Sequence, residues 1–408
     1  MKNEFITIRN IETAAKISGT KIDAVRVKDI IKKGVRVYDN GKIGVSGAIG
    51  DIPDSVLIEK AIENLSTEID YPYELEKNLV EHRKYSEFSM SGEELLEVAE
   101  DILAELRNKY DQFLFSEKIS VKEMIVQMRN SEGLDLEYRD AWFELGLILK
   151  EKSSANLFDG FVQYFGRTFD QEKFWDFNNG YLEAYGNSAE LPEGEKLPVF
   201  VLDASELNGF MNKSLNGERY ANGSSVLSGK LGEQLFNEKI TFGQNFDSSM
   251  TFEPFFDHEG VVLENDRLPL INSGKFVNVF TDKKTAATYD LPHTGAADGA
   301  YDGVPNLTVT QLKFETDSAD LKAAMKGQMG IFVVVSAGGD FTPDGSFAAP
   351  VQVAFLFDGE RFIGKLPEFT MRSNLWAMLG EDYIGTFDNP FYIGENTQVH
   401  GYNMTIVR

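Results

Sequence analysis

The chain has 408 residues, a hydrophobic fraction of 42% and a formal net charge of −25 at pH 7. Its length accommodates two or three domains with substantial cores, while an acid excess without a long lysine or arginine cluster opposes contact with nucleic acid, which works by releasing counterions from phosphates. With no cysteine, it has no disulfide, no thiolate nucleophile and no thiolate metal ligand.

The start, "MKNEFITIRN", lacks the cationic segment and apolar run of a secretory signal. The densest β-like apolar run, Ile331–Val335, is far below the roughly 18 residues needed to span a bilayer. The expectation is a cytoplasmic protein that binds neither membrane nor nucleic acid.

The N-terminal part alternates strands and helices. In "GVRVYDNGKIGVSG", Asn40 and Gly41 separate two alternating apolar runs, and both residues tolerate positive φ, which predicts a hairpin. A helix is predicted from about Asp54 to Leu65. Another is marked in "MSGEELLEVAEDILAELRNKY", where Ser91 caps, Glu94 completes a capping box and Met90 staples onto Leu95. Leu95, Val98, Ala99, Ile102 and Leu106 form its inward stripe.

From about Phe113 to Lys150 the pattern predicts strands of a meander. The aromatic stretches "FVQYFGRTF" and "EKFWDFNNGYLEAYG" suit a core better than a binding groove. Glycine, proline and charge mix in Gly186–Pro198, which divides residues 1–190 from residues 191–408. Beyond it, "VFVLDASEL" predicts a strand entering a helix, and a second helix is predicted from Ser225 to about Phe236. Three apolar runs separated by glycine- and aspartate-rich turns in "IFVVVSAGGDFTPDGSFAAPVQVAFLFDGERFIGKL" predict a β-meander. The fold class is α+β: an N-terminal α/β-type domain with antiparallel strands and helices, then a strand-rich C-terminal domain with a few helices.

Familiar catalytic patterns are absent. The sequence contains no G-x-x-x-x-G-K-[ST] loop, no G-x-G-x-x-G after a strand, no G-x-S-x-G elbow and no paired D-[ST]-G. Metal chemistry would rest on His82, His258, His293 and His400, no two of which lie within a helical turn. His82 reads as part of a solvated linker, His258 as a polar strand or loop residue, His293 as a maker of one structural hydrogen bond, and His400 as exposed near the C-terminus. "GGDFTPDG" reads as a hairpin tip, since it lacks calcium-loop spacing. Asp257, His258 and Glu259 form the best acid–base cluster, but strand alternation would put His258 on the face opposite the two carboxylates.

Several patterns, in order along almost the whole chain, resemble the TldD/PmbA family, also known as modulators of DNA gyrase. They are "GVRVYDNGKIGVSGAIGD", "SGKLGEQL", "FFDHEGV", "LPHTGAADG", "VPNLTV" and the meander around "GGDFTPDGSF". The resemblance implies paired subunits that assemble into a peptidase acting on unfolded peptides. It also implies that members of the TldD kind carry H-E-x-x-x-H on the helix before "NGERYANG", with a third ligand, a cysteine, from near the C-terminus. Members of the PmbA (TldE) kind lack this zinc motif. Here that helix carries Asn208, Asn212 and Lys213, and "LGEDYIGTFDNPFYIGENTQ" has no cysteine. Asparagine and lysine supply neither neutral imidazole nor thiolate, and a protonated lysine opposes a cation.

The expectation is therefore a PmbA/TldE-like subunit with no zinc of its own, inactive alone, in a TldD-type metallopeptidase complex concerned with proteolysis. Its expected partners are a TldD-like catalytic subunit that holds the zinc, or a second copy of itself in a homodimer, together with an extended peptide substrate. Substrate-contact candidates are Asn208, Asn212, Glu218, Arg219 and Tyr220, although "NGERYANGSS" also reads as a plain polar turn. The alternatives are a self-standing hydrolase built on Asp257, His258 and Glu259, or a protein-binding modulator of DNA gyrase.

Overall fold

A computed structural model describes residues 1–202, 205–309, 311–317, 320–388 and 397–408. Helix accounts for 21% and strand for 44% of the chain, so sheets organise the molecule and helices cover them. The class is α+β, with antiparallel sheet in the N-terminal part and a strand-rich C-terminal region.

The first sheet uses β1 (Lys2–Ser18), β2 (Lys21–Asp39), β3 (Lys42–Ile49), β4 (Ile69–Asp70), β5 (Val80–Lys84), β6 (Phe113–Asn130), β7 (Asp135–Glu151) and β8 (Gly160–Gly166). Its order is β4-β3-β2-β1-β6-β7-β5, with β8 also on β7. Sequential neighbours pair antiparallel; β5 runs parallel to β7. The predicted hairpin at Asn40-Gly41 joins β2 to β3, with φ of 46° and 75°.

Three helices cover this sheet: α1 (Asp54–Glu63), α2 (Gly92–Lys109) and α3 (Gln171–Tyr185). The capping box is formed as predicted: Glu94 N–H donates to Ser91 Oγ at 3.2 Å, and Ser91 N–H donates to Glu94 Oε2 at 2.7 Å. Leu95, Ala99, Ile102, Leu103 and Leu106 of α2 are buried against Ala15, Ile17, Phe115 and Ile119. The aromatic stretches are core, since β8 and α3 bury Val162, Tyr164, Phe174 and Tyr181 in that same cluster.

The C-terminal part continues with β9 (Lys196–Leu202), α4 (Ser205–Leu215), α5 (Gly217–Ala221), β10 (Phe242–Asn245), β11 (Arg267–Asn272), β12 (Lys275–Phe276), α6 (Lys283–Tyr289), β13 (Ala297–Asp298), β14 (Asn306–Leu307) and β15 (Leu312–Phe314). The remainder is α7 (Leu321–Ala324), β16 (Gly330–Ser336), β17 (Asp340–Phe341), β18 (Ser346–Phe357), β19 (Phe362–Lys365), β20 (Phe369–Asn374), α8 (Leu375–Met378), β21 (Tyr383–Asp388) and β22 (Gln398–Val407).

Strands β16-β9-β22-β20-β18 pair in that order, and β18 pairs back onto β16. The sheet therefore closes into a five-stranded barrel, which leaves no open edge within the ring. Alternation along each strand sends Val199, Val333, Met371, Tyr402 and Met404 to one cluster, shared with Leu207 and Met211 of α4. The opposite faces send Phe200, Phe332, Phe357 and Val399 to another cluster under α7. A second sheet, β12-β11-β10-β15, packs through Phe242, Ile271 and Phe314 onto the first of these clusters.

Three expectations are corrected. Residues 225–236 form successive turns rather than a helix. Gly229 and Gly232 there have φ of 77° and 89°, which a helix forbids, while Leu227 and Phe236 are drawn into the core. His82 lies in β5, not in a linker, with Nε2 3.1 Å from Asp135 Oδ1. His400 is not exposed: β22 runs between β9 and both β20 and β21, and His400 is only 1% exposed. Among the described residues, no helix is long and apolar enough to cross a membrane.

Candidate functional site

Helix α4 lies between the barrel and the second sheet, held by buried Leu207, Met211, Ser214 and Leu215. Asn208 and Asn212, one turn apart, share a face and are half-buried. The Asn212 amide donates to the Val309 carbonyl at 2.7 Å, which ties α4 to the chain before β15. Lys213 is exposed.

Asn216 caps α5 by accepting from Arg219 N–H at 3.0 Å. The close approach of α5 to residues 280–281 requires glycine at 217, where a Cβ would meet the Phe280 carbonyl at 2.8 Å. Glu218 and Arg219 are exposed, while Tyr220 is half-buried with its ring 5.8 Å from that of Phe276. The five contact candidates thus fall into two groups, a half-buried amide pair on α4 and an exposed charged pair on α5 with Tyr220 packed behind it. "NGERYANGSS" opens as a short helix and closes on Ser224 and Ser225, whose N–H groups both donate to the Arg219 carbonyl.

The second cluster, Asp257-His258-Glu259, lies in a turn, so strand alternation does not apply. Gly260 takes φ 75°, and its N–H donates to the Asp257 carbonyl. Asp257 is 3% exposed and accepts from the N–H groups of Glu259, Val261 and Ala297 at 2.9, 2.9 and 3.0 Å. Burial and the neighbouring Glu259 charge push its carboxyl up, to about 7.

Glu259 accepts from the Tyr71 hydroxyl at 2.5 Å and from Lys283 N–H at the start of α6 at 3.1 Å, and His293 Nε2 sits 3.5 Å away. Burial pushes Glu259 up, but bonds from His293 and Tyr71 and the Lys283 charge hold it below the ordinary value. The His293 expectation of a structural contact is met here. His258 points elsewhere, with Nε2 3.3 Å from Asp298 Oδ1, while burial and Arg36 lower its pKa to about 4.

Glu259 therefore ties the N-terminal part to the C-terminal part through Tyr71, Asp257 holds its own turn and the start of β13, and the imidazole does not join them. The same junction holds a buried group with no counterpart in the sequence reading. Arg36 on β2 donates to Glu4 at 3.0 Å, to the His258 carbonyl at 2.5 Å and to the Gly303 carbonyl at 3.2 Å. Its only sequence signal is an arginine in an otherwise apolar run, "VRVY".

Comparison with known proteins places this architecture. Residues 201–391 match the model of the PmbA/TldA metallopeptidase C-terminal domain. TldE from Thermococcus kodakarensis superposes with a TM-score of 0.79 at 20% identity, covering 100% of this chain and 97% of that one. The C-terminal part matches the PmbA/TldA metallopeptidase C-terminal domain, and the whole chain has the fold of TldE. Other TldD/PmbA-type structures are similar. One from Thermotoga maritima, titled a candidate modulator of a DNA gyrase, gives a TM-score of 0.76 at 17% identity over 100% and 95% of the two chains. An uncharacterized protein of Methanocaldococcus jannaschii is 24% identical over 394 residues, 89% of this chain and 86% of its own.

The TldD/PmbA metallopeptidase name implies a metal, and the donors on α4 do not fit one. Asn212 spends its amide on Val309, Lys213 carries a positive charge, and the four histidines all lie off this helix. Among the described residues, no group of three or more His, Cys, Asp or Glu side chains could hold a metal ion. Of the C-terminal stretch expected to carry a third ligand in TldD-type members, residues 389–396 lie outside the described residues; the sequence itself has no cysteine there.

Proposed function

We propose that this chain is a non-catalytic, PmbA/TldE-type subunit of a cytoplasmic TldD-type metallopeptidase complex, where it holds extended peptides beside a zinc-bearing partner. The observation that carries this reading is α4: a full TldD/PmbA fold is kept while that helix presents amide and ammonium groups in place of imidazoles. Neutral imidazole and thiolate are the donors that hold zinc at neutral pH, so the loss removes chemistry and leaves the scaffold. Sheet edges would bind an extended peptide through its main chain and so with little regard to sequence.

A self-standing hydrolase on Asp257 and Glu259 is disfavoured, because both carboxylates are saturated by backbone and tyrosine donors at the junction. The gyrase reading rests on the titles of relatives, and the net charge of −25 gives DNA contact no support.

The test is reconstitution with a homologue that carries H-E-x-x-x-H. The expected result is no peptidase activity from this chain alone, a stable complex on co-expression, and activity abolished when the partner's glutamate is replaced. Activity of the isolated chain on an unfolded peptide, or failure to associate with either that homologue or a second copy, would overturn the reading.

A further inference from the structure

Strand β2 is covered along only part of its outer side. β3 pairs with residues 32–39 of it, and among the described residues no strand pairs with residues 24–30 on that side. The β1–β2 ladder is regular through this stretch, and its register shift, at Lys16 and Ile17 of β1, lies beyond Ala24. Residues 23–27 are five exposed positions in a row, with Val25 and Val27 49% and 69% exposed. An open edge of this kind is a template for another strand, because its main-chain groups have no partner.

One bond fixes the direction of those groups. Gly50 N–H donates to the Ile31 carbonyl at 2.8 Å, so Ile31 turns its carbonyl to the outer side. A residue in an antiparallel strand sends its N–H and C=O the same way, and its neighbours send theirs the other way. Val25, Val27 and Asp29 therefore offer N–H and C=O outward, at the spacing of every second residue of an extended peptide.

The side chains add a charge preference. Arg26, exposed and in no ion pair among the described residues, shares a face with Lys28, which donates to Glu12 at 2.6 Å. Val25 and Val27 share the other face. An added strand with carboxylates toward Arg26 and Lys28, and apolar side chains toward the valines, is matched on both faces.

We propose that the outer edge of β2, over residues 24–30, binds an extended peptide of alternating acidic and apolar residues as an added strand. This rests on the reading of the chain as a holder of extended peptides, and it names the edge and the preference.

The test is amide NMR of the full chain titrated with a capped seven-residue peptide of alternating valine and glutamate, and with its counterpart carrying lysine for glutamate. The expected result is that the glutamate peptide shifts the Val25, Val27 and Asp29 amide signals and slows their exchange with solvent. It should bind at least about threefold more tightly than the lysine peptide, and Arg26→Glu should cancel or reverse that preference. Val27→Pro removes one outward N–H and none from the β1 ladder, a position that edge strands accept. It should weaken binding at least about tenfold, while the Ala14 amide stays protected. N-methylating the peptide at alternate residues should weaken binding as well, without any change to the protein. Unmoved Val25, Val27 and Asp29 signals at millimolar peptide, equal binding of the two peptides, or undiminished binding after N-methylation would overturn the proposal. So would protection of those amides in the free chain, which would make a second copy the occupant of the edge. Because these readouts use this chain alone, their failure is distinct from failure to reconstitute a peptidase with a partner.

Discussion

Replacing Arg36 with methionine is expected to destabilise the chain by about 3–5 kcal/mol, the cost of breaking a buried ion pair by removing one partner. Arg36 is fully buried and stands directly across from Glu4 in the β1–β2 ladder, and Glu4 is itself 1% exposed. Without the guanidinium, Glu4 keeps only the Tyr38 hydroxyl at 3.1 Å, and the carbonyls of His258 and Gly303 lose their donor.

Because these carbonyls belong to the C-terminal part, the loss should spread beyond the strand. Hydrogen exchange is expected to speed up both at Val35–Tyr38 and in the turn around Gly260. The pair is not optimal even when intact, since Glu4 Oε2 and Arg36 Nη2 have no partners. A double variant, Glu4→Leu with Arg36→Met, is therefore expected to recover most of the loss, because it leaves no charge stranded. Equal loss in the single and double variants would show that packing, not charge, sets the effect.

The second large effect is a pH dependence centred on His400. Its Nδ1 lies 3.0 Å from Thr386 Oγ1, which also meets the Tyr383 hydroxyl at 2.7 Å, and its ring edge packs on Phe314. Burial and the Lys313 charge lower its pKa to about 3. An unfolded imidazole takes up a proton as pH falls through about 6.5, whereas the folded one does so only near 3. Between those values unfolding is accompanied by proton uptake, so this contribution to stability is fully present above pH 6.5 and is lost as pH falls. The loss is about 1.4 kcal/mol per pH unit, or about 3 kcal/mol by pH 4. His400→Asn keeps a polar group toward Thr386 and does not titrate. The stability difference between wild type and variant should therefore narrow, or reverse, from pH 7 to pH 4. A difference independent of pH would contradict the assignment.

His400 also shows where the sequence stopped being informative. Its place eight residues before the C-terminal Arg408 suggests exposure, but β22 is set by pairing with β9, some two hundred residues earlier. The same non-locality hid β5, whose partner is the parallel strand β7, and hid the closure of β18 onto β16. Local chemistry, by contrast, was readable. Ser91 and Glu94 specify the start of α2 without reference to anything distant, and Asn40-Gly41 specifies a turn by its own φ preferences.

The segment 225–236 misled because its apolar spacing resembles a helix, while Gly229 and Gly232 serve turns that let Leu227 and Phe236 reach the core. The helix that follows β9, α4, could be anticipated from "VFVLDASEL". The engagement of Asp257 and Glu259 could not, because their partners come from residues 71, 283, 293 and 297.

If the fold shared with TldE persists here without a metal-binding centre on α4, the chain should hold no zinc of its own. The most direct measurement is the zinc content of the full chain, purified without chelator and then equilibrated with excess zinc and desalted at neutral pH. The expected result is far less than one zinc per chain and no change in thermal stability on adding zinc. One tightly held zinc per chain, removed by chelator together with a peptidase activity of the isolated protein, would contradict it.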